Sequence, residues 1–330
     1  MNTRKLLKLV SGALLALLFL WLMVRQIRLE EIKQALVDVN ARWIATAALA
    51  FAVGYTCRIE RWRLMLKRDS PDLKWTACAG PLLASFAANN VLPFRAGDVL
   101  RSFAFSRQLG TSYGVVIATL FVERLLDLLM VLLLLGAGLA LFDMDSVRFA
   151  GLGSVVLVAS TLTILIVLLC PDCFAPLAKA AGRFAALLLP KLGQRLSDEI
   201  DRSLATLRHL AKGSTVPKLI FWSLLAWSAE GCVFWFTALA LPSITAPQAG
   251  WLALPVGTLA TLLPSTPGYV GTFDYFTVSA MTKLSNTTGA ATAYALVVHA
   301  LLWLPPTLAG GLYLLLHPVR RQNRLQTIRS

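Results

Sequence analysis

Residues 113–142 read YGVVIATLFVERLLDLLMVLLLLGAGLALF, a run interrupted only by the charges of Glu123, Arg124 and Asp127. As one helix it is about 45 Å long, more than the roughly 30 Å of a bilayer's hydrocarbon core. Its apolar residues are not spaced as the stripe of a soluble helix. They form a block, and a block of this length predicts a membrane span.

The rest of the chain repeats the pattern. Of 330 residues, 57% are apolar and 15% charged, with a mean hydropathy of +0.68. A soluble domain carries about 25% charged residues. Apolar blocks fall at 6–24, 42–60, 76–94, 113–142, 149–170, 216–241, 250–264, 267–282 and 289–316. This excludes a soluble enzyme, a DNA-binding protein and a secreted disulfide scaffold. The net charge of +14 does not argue for nucleic acid, because the basic residues sit mostly in short connections between blocks. Anionic lipid and the positive-inside rule account for that placement. The five cysteines are scattered. Cys170-Pro-Asp-Cys173 has neither a second pair nor a histidine partner, so it reads as ordinary thiols near a membrane face. No metal or cofactor is expected.

Two blocks are broken. Pro81, Asn89, Asn90 and Pro93 interrupt 76–94, and Pro264-Ser-Thr-Pro267-Gly268 separates 250–264 from 267–282. Both read as re-entrant elements, which survive at membrane depth only where protein covers them or they line a wet cavity. With the N-terminus inside and residues 6–24 as an uncleaved first span, 24 of the 31 Lys and Arg fall on the inner side. The expected fold is therefore an all-α polytopic membrane protein with six full spans and two broken elements. It is a single membrane domain over 1–330, in the inner (cytoplasmic) membrane, with both termini cytosolic. The one sizeable cytosolic connection, 171–215, carries Leu196, Ile200, Leu204, Leu207 and Ala211 at helical spacing. It reads as an amphipathic helix, either on the inner leaflet or packed on the spans.

The broken elements share a motif. Leu92-Pro93-Phe-Arg-Ala-Gly97-Asp-Val99 and Leu263-Pro264-Ser-Thr-Pro-Gly268-Tyr-Val270 both read L-P-x-x-x-G-x-V. In this topology they enter from opposite faces, which predicts an inverted repeat, about 42–142 against 216–316. Pro93 and Pro264 stop a helix, Gly97 and Gly268 permit a turn with positive φ, and the next helix offers free N–H groups to an anion.

The candidate site residues are charges where lipid should be. Arg95 and Arg101, six apart around a turn with Asp98 and Asn90 close by, suit a phosphate-bearing head group. The alternative is a positive-inside loop. Glu123 and Asp127 share a helix face, and Arg124 reaches Asp127 at i+3. Charges at bilayer depth cost about 2.5–3.5 kcal/mol each and usually face a working interior; the alternative is a span that starts outside the hydrocarbon. Glu230 and Asp274 read as cavity residues, Arg61 and Arg63 as helpers at the cytosolic mouth, and His299 as a hydrogen-bonded packing residue. No P-loop, H-E-x-x-H or G-x-S-x-G motif is present.

At these motifs the chain resembles the transmembrane region of lysylphosphatidylglycerol synthases, the flippase-like family. The carrying residues are Arg61-Trp62-Arg63, Pro93-x-Arg95-x-Gly97-Asp98-x-x-Arg101, Glu123-Arg124-Leu-Leu-Asp127 and Pro267-Gly268-x-x-Gly271-x-Phe273-Asp274. Two departures stand out: Ser265-Thr266-Pro267 in place of a glycine-rich turn, and Asp274 where Glu is more common. The resemblance implies that the membrane part moves a lipid between leaflets, while a separate soluble domain, not matched here, makes aminoacyl-lipid.

The expectation is thus a lipid flippase. Arg95, Arg101, Asp98, Asn90, Arg61 and Arg63 would take an anionic or glycosylated head group. Glu123, Arg124, Asp127, Glu230 and Asp274 would line the path, and Pro93, Gly97, Pro264, Pro267, Gly268 and Gly271 would shape the breaks. Glu230 or Glu123 would suit proton coupling. The partners are membrane lipids and, in addition, a lipid-modifying enzyme; no catalytic activity is expected. The alternatives are a membrane enzyme acting on a lipid-linked substrate, and an accessory subunit docking through 171–215.

Overall fold

The computed structural model describes residues 37–92, 95–142, 154–176, 180, 190–211, 215–263 and 267–317. The expected span at 6–24 and the breaks at Pro93 and Pro264 lie outside them. Among the described residues there is no strand, and ten α-helices follow in order. They are α1 (Ala41–Leu66), α2 (Trp75–Val91), α3 (Ala96–Ala104), α4 (Tyr113–Leu141), α5 (Ser154–Leu169), α6 (Pro190–Leu210), α7 (Thr215–Ala240), α8 (Gly250–Ala260), α9 (Thr272–Lys283) and α10 (Thr288–Leu316).

The chain is an all-α membrane protein. Among the described residues, α4, α7 and α10 are long and apolar enough to cross a membrane. The other two expected spans within the described residues fall short of that measure. Helix α1 is 26 residues long, but Arg58, Glu60, Arg61 and Arg63 crowd its last turns, and α5 is shorter. Outward-facing apolar side chains such as Leu49, Leu133, Val155, Leu308 and Leu315 give the fold a surface that suits lipid. Three of the long helices, α1, α4 and α10, start at side-chain caps: Asn40 accepts from Arg42 N–H, Ser112 from Val115 N–H and Thr287 from Ala290 N–H.

The break expected at Pro81 is not there. Helix α2 runs through it from Trp75 to Val91, and breaks only at Leu92, which is extended. Pro81 removes a single i→i−4 bond, and α2 is held by its packing along α10. Pro255 and the Pro305-Pro306 pair likewise sit inside α8 and α10.

Helices α2 and α3 pack on each other as a hairpin, and so do α8 and α9. The end of α2 touches the short turn Pro267–Tyr269, so the two broken elements meet. The pairings have an internal order. Replacing α1, α2, α3 and α4 by α7, α8, α9 and α10 carries α1–α2 onto α7–α8, α3–α4 onto α9–α10 and α2–α10 onto α8–α4. The most extensive pairing, α1 with α7, maps onto itself.

Helix α6 packs on the spans. Gly114 N–H of α4 donates to Glu199 (2.7 Å), Ser203 donates to the Gly114 carbonyl (2.9 Å), and Leu204 and Leu210 are buried.

Candidate functional site: a buried network of arginines and carboxylates

Because α1 lies along α7, the α1 face that bears Arg58 and Arg61 is turned inward, and both are buried. Arg61 Nη1 donates to Asp127 Oδ1 on α4 and to Ser223 Oγ on α7, each at 2.9 Å. Arg58 pairs with Glu230 on α7, lies 3.7 Å from Asp127 and sits over the Trp227 ring. The Trp227 indole N–H donates to Asp127 as well, at 3.1 Å.

The network continues toward the first hairpin. Arg101 of α3 is fully buried. Its Nη2 donates to Glu123 Oε2 at 2.8 Å and its guanidinium lies over Trp62, 4.6 Å from the ring centre. Arg124 reaches both Asp98 oxygens at 3.2 Å and Asp127 at 3.9 Å, and Asn89 donates to Asp98 at 2.9 Å. Four arginines and four carboxylates thus balance. Buried charges are tolerable only when paired in this way.

The pairing is not complete at the level of hydrogen bonds. Arg61 Nε and Arg101 Nε and Nη1 are buried with no acceptor in the protein. A guanidinium presents five donors in a planar fork, so these N–H groups remain for an oxyanion or water.

The second broken element is built differently. Gly268 (φ 73°) and Gly271 (φ 84°) make the turn. Gly271 N–H donates to Asp274 Oδ2 at 2.9 Å. His299 of α10 holds Asp274 Oδ1 at 2.7 Å through Nδ1 and the Gly268 carbonyl at 2.9 Å through Nε2.

These contacts correct several expectations. Arg95 and Arg101 do not form one clamp: Arg95 is exposed, whereas Arg101 faces Glu123 inside. Arg63 is engaged by Glu60 (2.6 and 2.7 Å), not by the network. Asn90 ties α2 to α10 through Thr307 and the Trp303 carbonyl. Gly97 does not have positive φ; that role falls to Arg95 (φ 52°). Gly97 serves instead for close approach, since a Cβ there would collide with the Ser85 carbonyl and Asn89. Nor are the helix starts open to an anion at these N–H groups: Asn89 takes Gly97 N–H and Asp274 takes Gly271 N–H. His299 is hydrogen-bonded at both ring nitrogens and packed on Phe273, as expected of a hydrogen-bonded packing residue. Arg58 and Trp62 also belong to the site. Their signal was the three-residue spacing of Arg58 and Arg61 beside an aromatic, at the end of an apolar block.

A family model described as the lysylphosphatidylglycerol synthase TM region matches residues 9–310. A curated relative from Haloferax volcanii, named glycosyltransferase AglD, is 28% identical over 323 residues. The match covers 88% of this chain and 51% of the relative, so the chain spans about half of that protein's length. No solved structure matches the chain.

Proposed function

From the premise that the chain belongs to the lysylphosphatidylglycerol synthase TM region family, we propose that it moves a lipid with an anionic head group between the leaflets of the inner (cytoplasmic) membrane. The observation that carries this reading is the set of unspent buried donors on Arg61 and Arg101. They lie in a network that is otherwise charge-balanced. An incoming phosphate oxygen can accept from the unspent Nε and Nη1 donors of Arg101 while Nη2 keeps Glu123, so neither partner of the buried pair is stranded. The acyl or prenyl chains would stay in lipid, against the apolar outer surface. Two hairpins related by the exchange of helix pairings support an inverted repeat, the arrangement in which such a site is approached from both faces. Asp98, Arg124, Asp127 and Glu230 would line the path beside Arg58, and Arg95 would draw the head group in from the cytosolic side.

The test has two parts. Purified protein is offered equal amounts of phosphatidylglycerol and phosphatidylcholine, and retained lipid is read by native mass spectrometry. Phosphatidylglycerol should be enriched in wild type and lost at least about tenfold in Arg101→Gln, a difference of about 1.4 kcal/mol. Movement is then read with fluorescent phosphatidylglycerol in proteoliposomes. Equal retention of the two lipids by both proteins would sink the head-group site.

One observation favours a second reading. The relative carries a glycosyltransferase name, which fits a membrane enzyme acting on a lipid-linked substrate. Formation of a glycosylated lipid by the purified chain, with a lipid-linked sugar as donor, would put that reading first.

A further inference from the structure

We infer that Asp274 and His299 form a proton-binding latch that holds the second broken element closed. The argument is one of hydrogen-bond valence. The Gly268 carbonyl can only accept, so Nε2 of His299, 2.9 Å away, carries a hydrogen. Asp274 Oδ2 accepts from Gly271 N–H, so Oδ1 is the oxygen left to face the imidazole. Between Nδ1 and Asp274 Oδ1, 2.7 Å apart, one hydrogen must lie, on whichever atom holds it. The closed turn therefore contains one proton more than a neutral imidazole facing a carboxylate. When that proton leaves to water, two lone pairs confront each other, at Oδ1 if Nε2 keeps its hydrogen or at the Gly268 carbonyl if Nδ1 does. One of the two contacts has to open.

Opening has a defined consequence. Gly268 lies against the indole of Trp303 and the backbone of Asn90, where the two broken elements meet. Releasing its carbonyl loosens that junction. The first element has no such release. There Asp98 is held by Arg124, whose charge does not titrate in proteins. Counted from the helix starts, Arg95 corresponds to Gly271 and Asp98 to Asp274, and their partners Arg124 and His299 stand on α4 and α10. One latch is permanent and the other follows pH.

Other ionisable groups do not obscure the pair. Helices α2 and α8, which pack against α10 and α9, carry no Asp, Glu, Lys, Arg or His. Of those on α1 and α7, Arg58, Arg61 and Glu230 belong to the arginine network and Arg63 pairs with Glu60. Arg42 and Lys218 stand near the starts of their helices. Tyr269 and Tyr275 flank the turn, and Tyr294 of α10 donates to the Phe234 carbonyl. The Phe273 ring lies edge-on to the imidazole, 5.1 Å between centroids.

The experiment is hydrogen exchange of the full chain in detergent micelles from pH 5 to 9, corrected for intrinsic exchange and read over residues 268–276. In wild type, protection should fall about tenfold per pH unit above a single transition. Asp274→Asn should stay protected throughout. Its amide oxygen can accept from Gly271 while its NH₂ donates to a neutral His299, so no extra proton is needed. His299→Ala should be unprotected throughout, and residues 97–104 of wild type should show no transition. Protection that is independent of pH in wild type, or lost in Asp274→Asn as it is in wild type, would overturn the latch. Should His299→Ala not fold, the comparison of wild type with Asp274→Asn decides alone. Any coupling of the latch to lipid movement rests on the proposed function, but this readout does not depend on it.

Discussion

Asp98 and Asp274 occupy the same place in two different helices. Each is the third residue after a cap with positive φ, Arg95 at 52° and Gly271 at 84°. Each turns its carboxylate toward a basic side chain on the next long helix, Arg124 for Asp98 and His299 for Asp274. This correspondence differs from the register of the L-P-x-x-x-G-x-V motif, which set Gly97 opposite Gly268.

The two carboxylates should respond differently to neutralisation. Asp98→Asn leaves Arg124 charged, with Asp127 at 3.9 Å as its remaining ion pair. A loss of about 1.5–3 kcal/mol follows from one weakened charged hydrogen bond. Asp274→Asn costs less, because His299 can become neutral. Thermal unfolding in detergent should therefore show a clear fall in Tm for Asp98→Asn and a small one for Asp274→Asn at neutral pH.

The Arg61–Asp127 pair at 2.9 Å is almost sealed from solvent on the arginine side. Arg61→Met alone removes a partner from a buried carboxylate, and breaking such a pair costs about 3–5 kcal/mol. The double variant Arg61→Met, Asp127→Leu should recover part of that loss, since it restores the balance of charge among Arg58, Arg124 and the remaining carboxylates. A double-mutant cycle on Tm measures the coupling. Additive losses would show that the two side chains do not act as a pair.

How much of this could be read beforehand depended on how far each residue's partner lay. Glu123, Arg124 and Asp127 announced themselves, because a charge inside a long apolar run needs a reason at its own position. Membrane character and helix content followed from block length for the same reason. Arg58 did not announce its role: its partner Glu230 is 172 positions away, and only the packing of α1 on α7 brings them together. His299 read as a hydrogen-bonded packing residue, but its partner was not legible, because that depends on the rotation of α9's first turn, which aims Asp274 at it. Pro81 misled because a proline's effect depends on whether neighbouring helices hold the chain straight.

Gly97 makes a sharp packing prediction. A methyl group there would strike the Ser85 carbonyl, a backbone atom that cannot swing aside, as well as Asn89. The α2–α3 hairpin would have to spread, which also separates Asp98 from Asn89. Gly97→Ala should cost at least about 1–3 kcal/mol as overpacking. Gly311→Ala, where nothing lies near the added carbon, is the control and should leave Tm unchanged or slightly raised, because Ala is the better former inside a helix.

The cysteines give a reading of sidedness that does not depend on lipid. Cys170 and Cys173 are exposed, beyond the end of α5 and beside the Asp172–Arg208 pair that links them to α6. Cys57 and Cys78 are buried. A membrane-impermeant maleimide should therefore label Cys170 and Cys173 in native protein and leave Cys57 and Cys78 untouched until denaturant is added. The orientation with the α5–α6 connection in the cytosol requires this labelling in inverted vesicles and not in intact cells. Labelling of intact cells would reverse the orientation. It would also place Arg68, which donates to the Ala205 carbonyl of α6, on the outer face, against the distribution of Lys and Arg that the positive-inside rule demands.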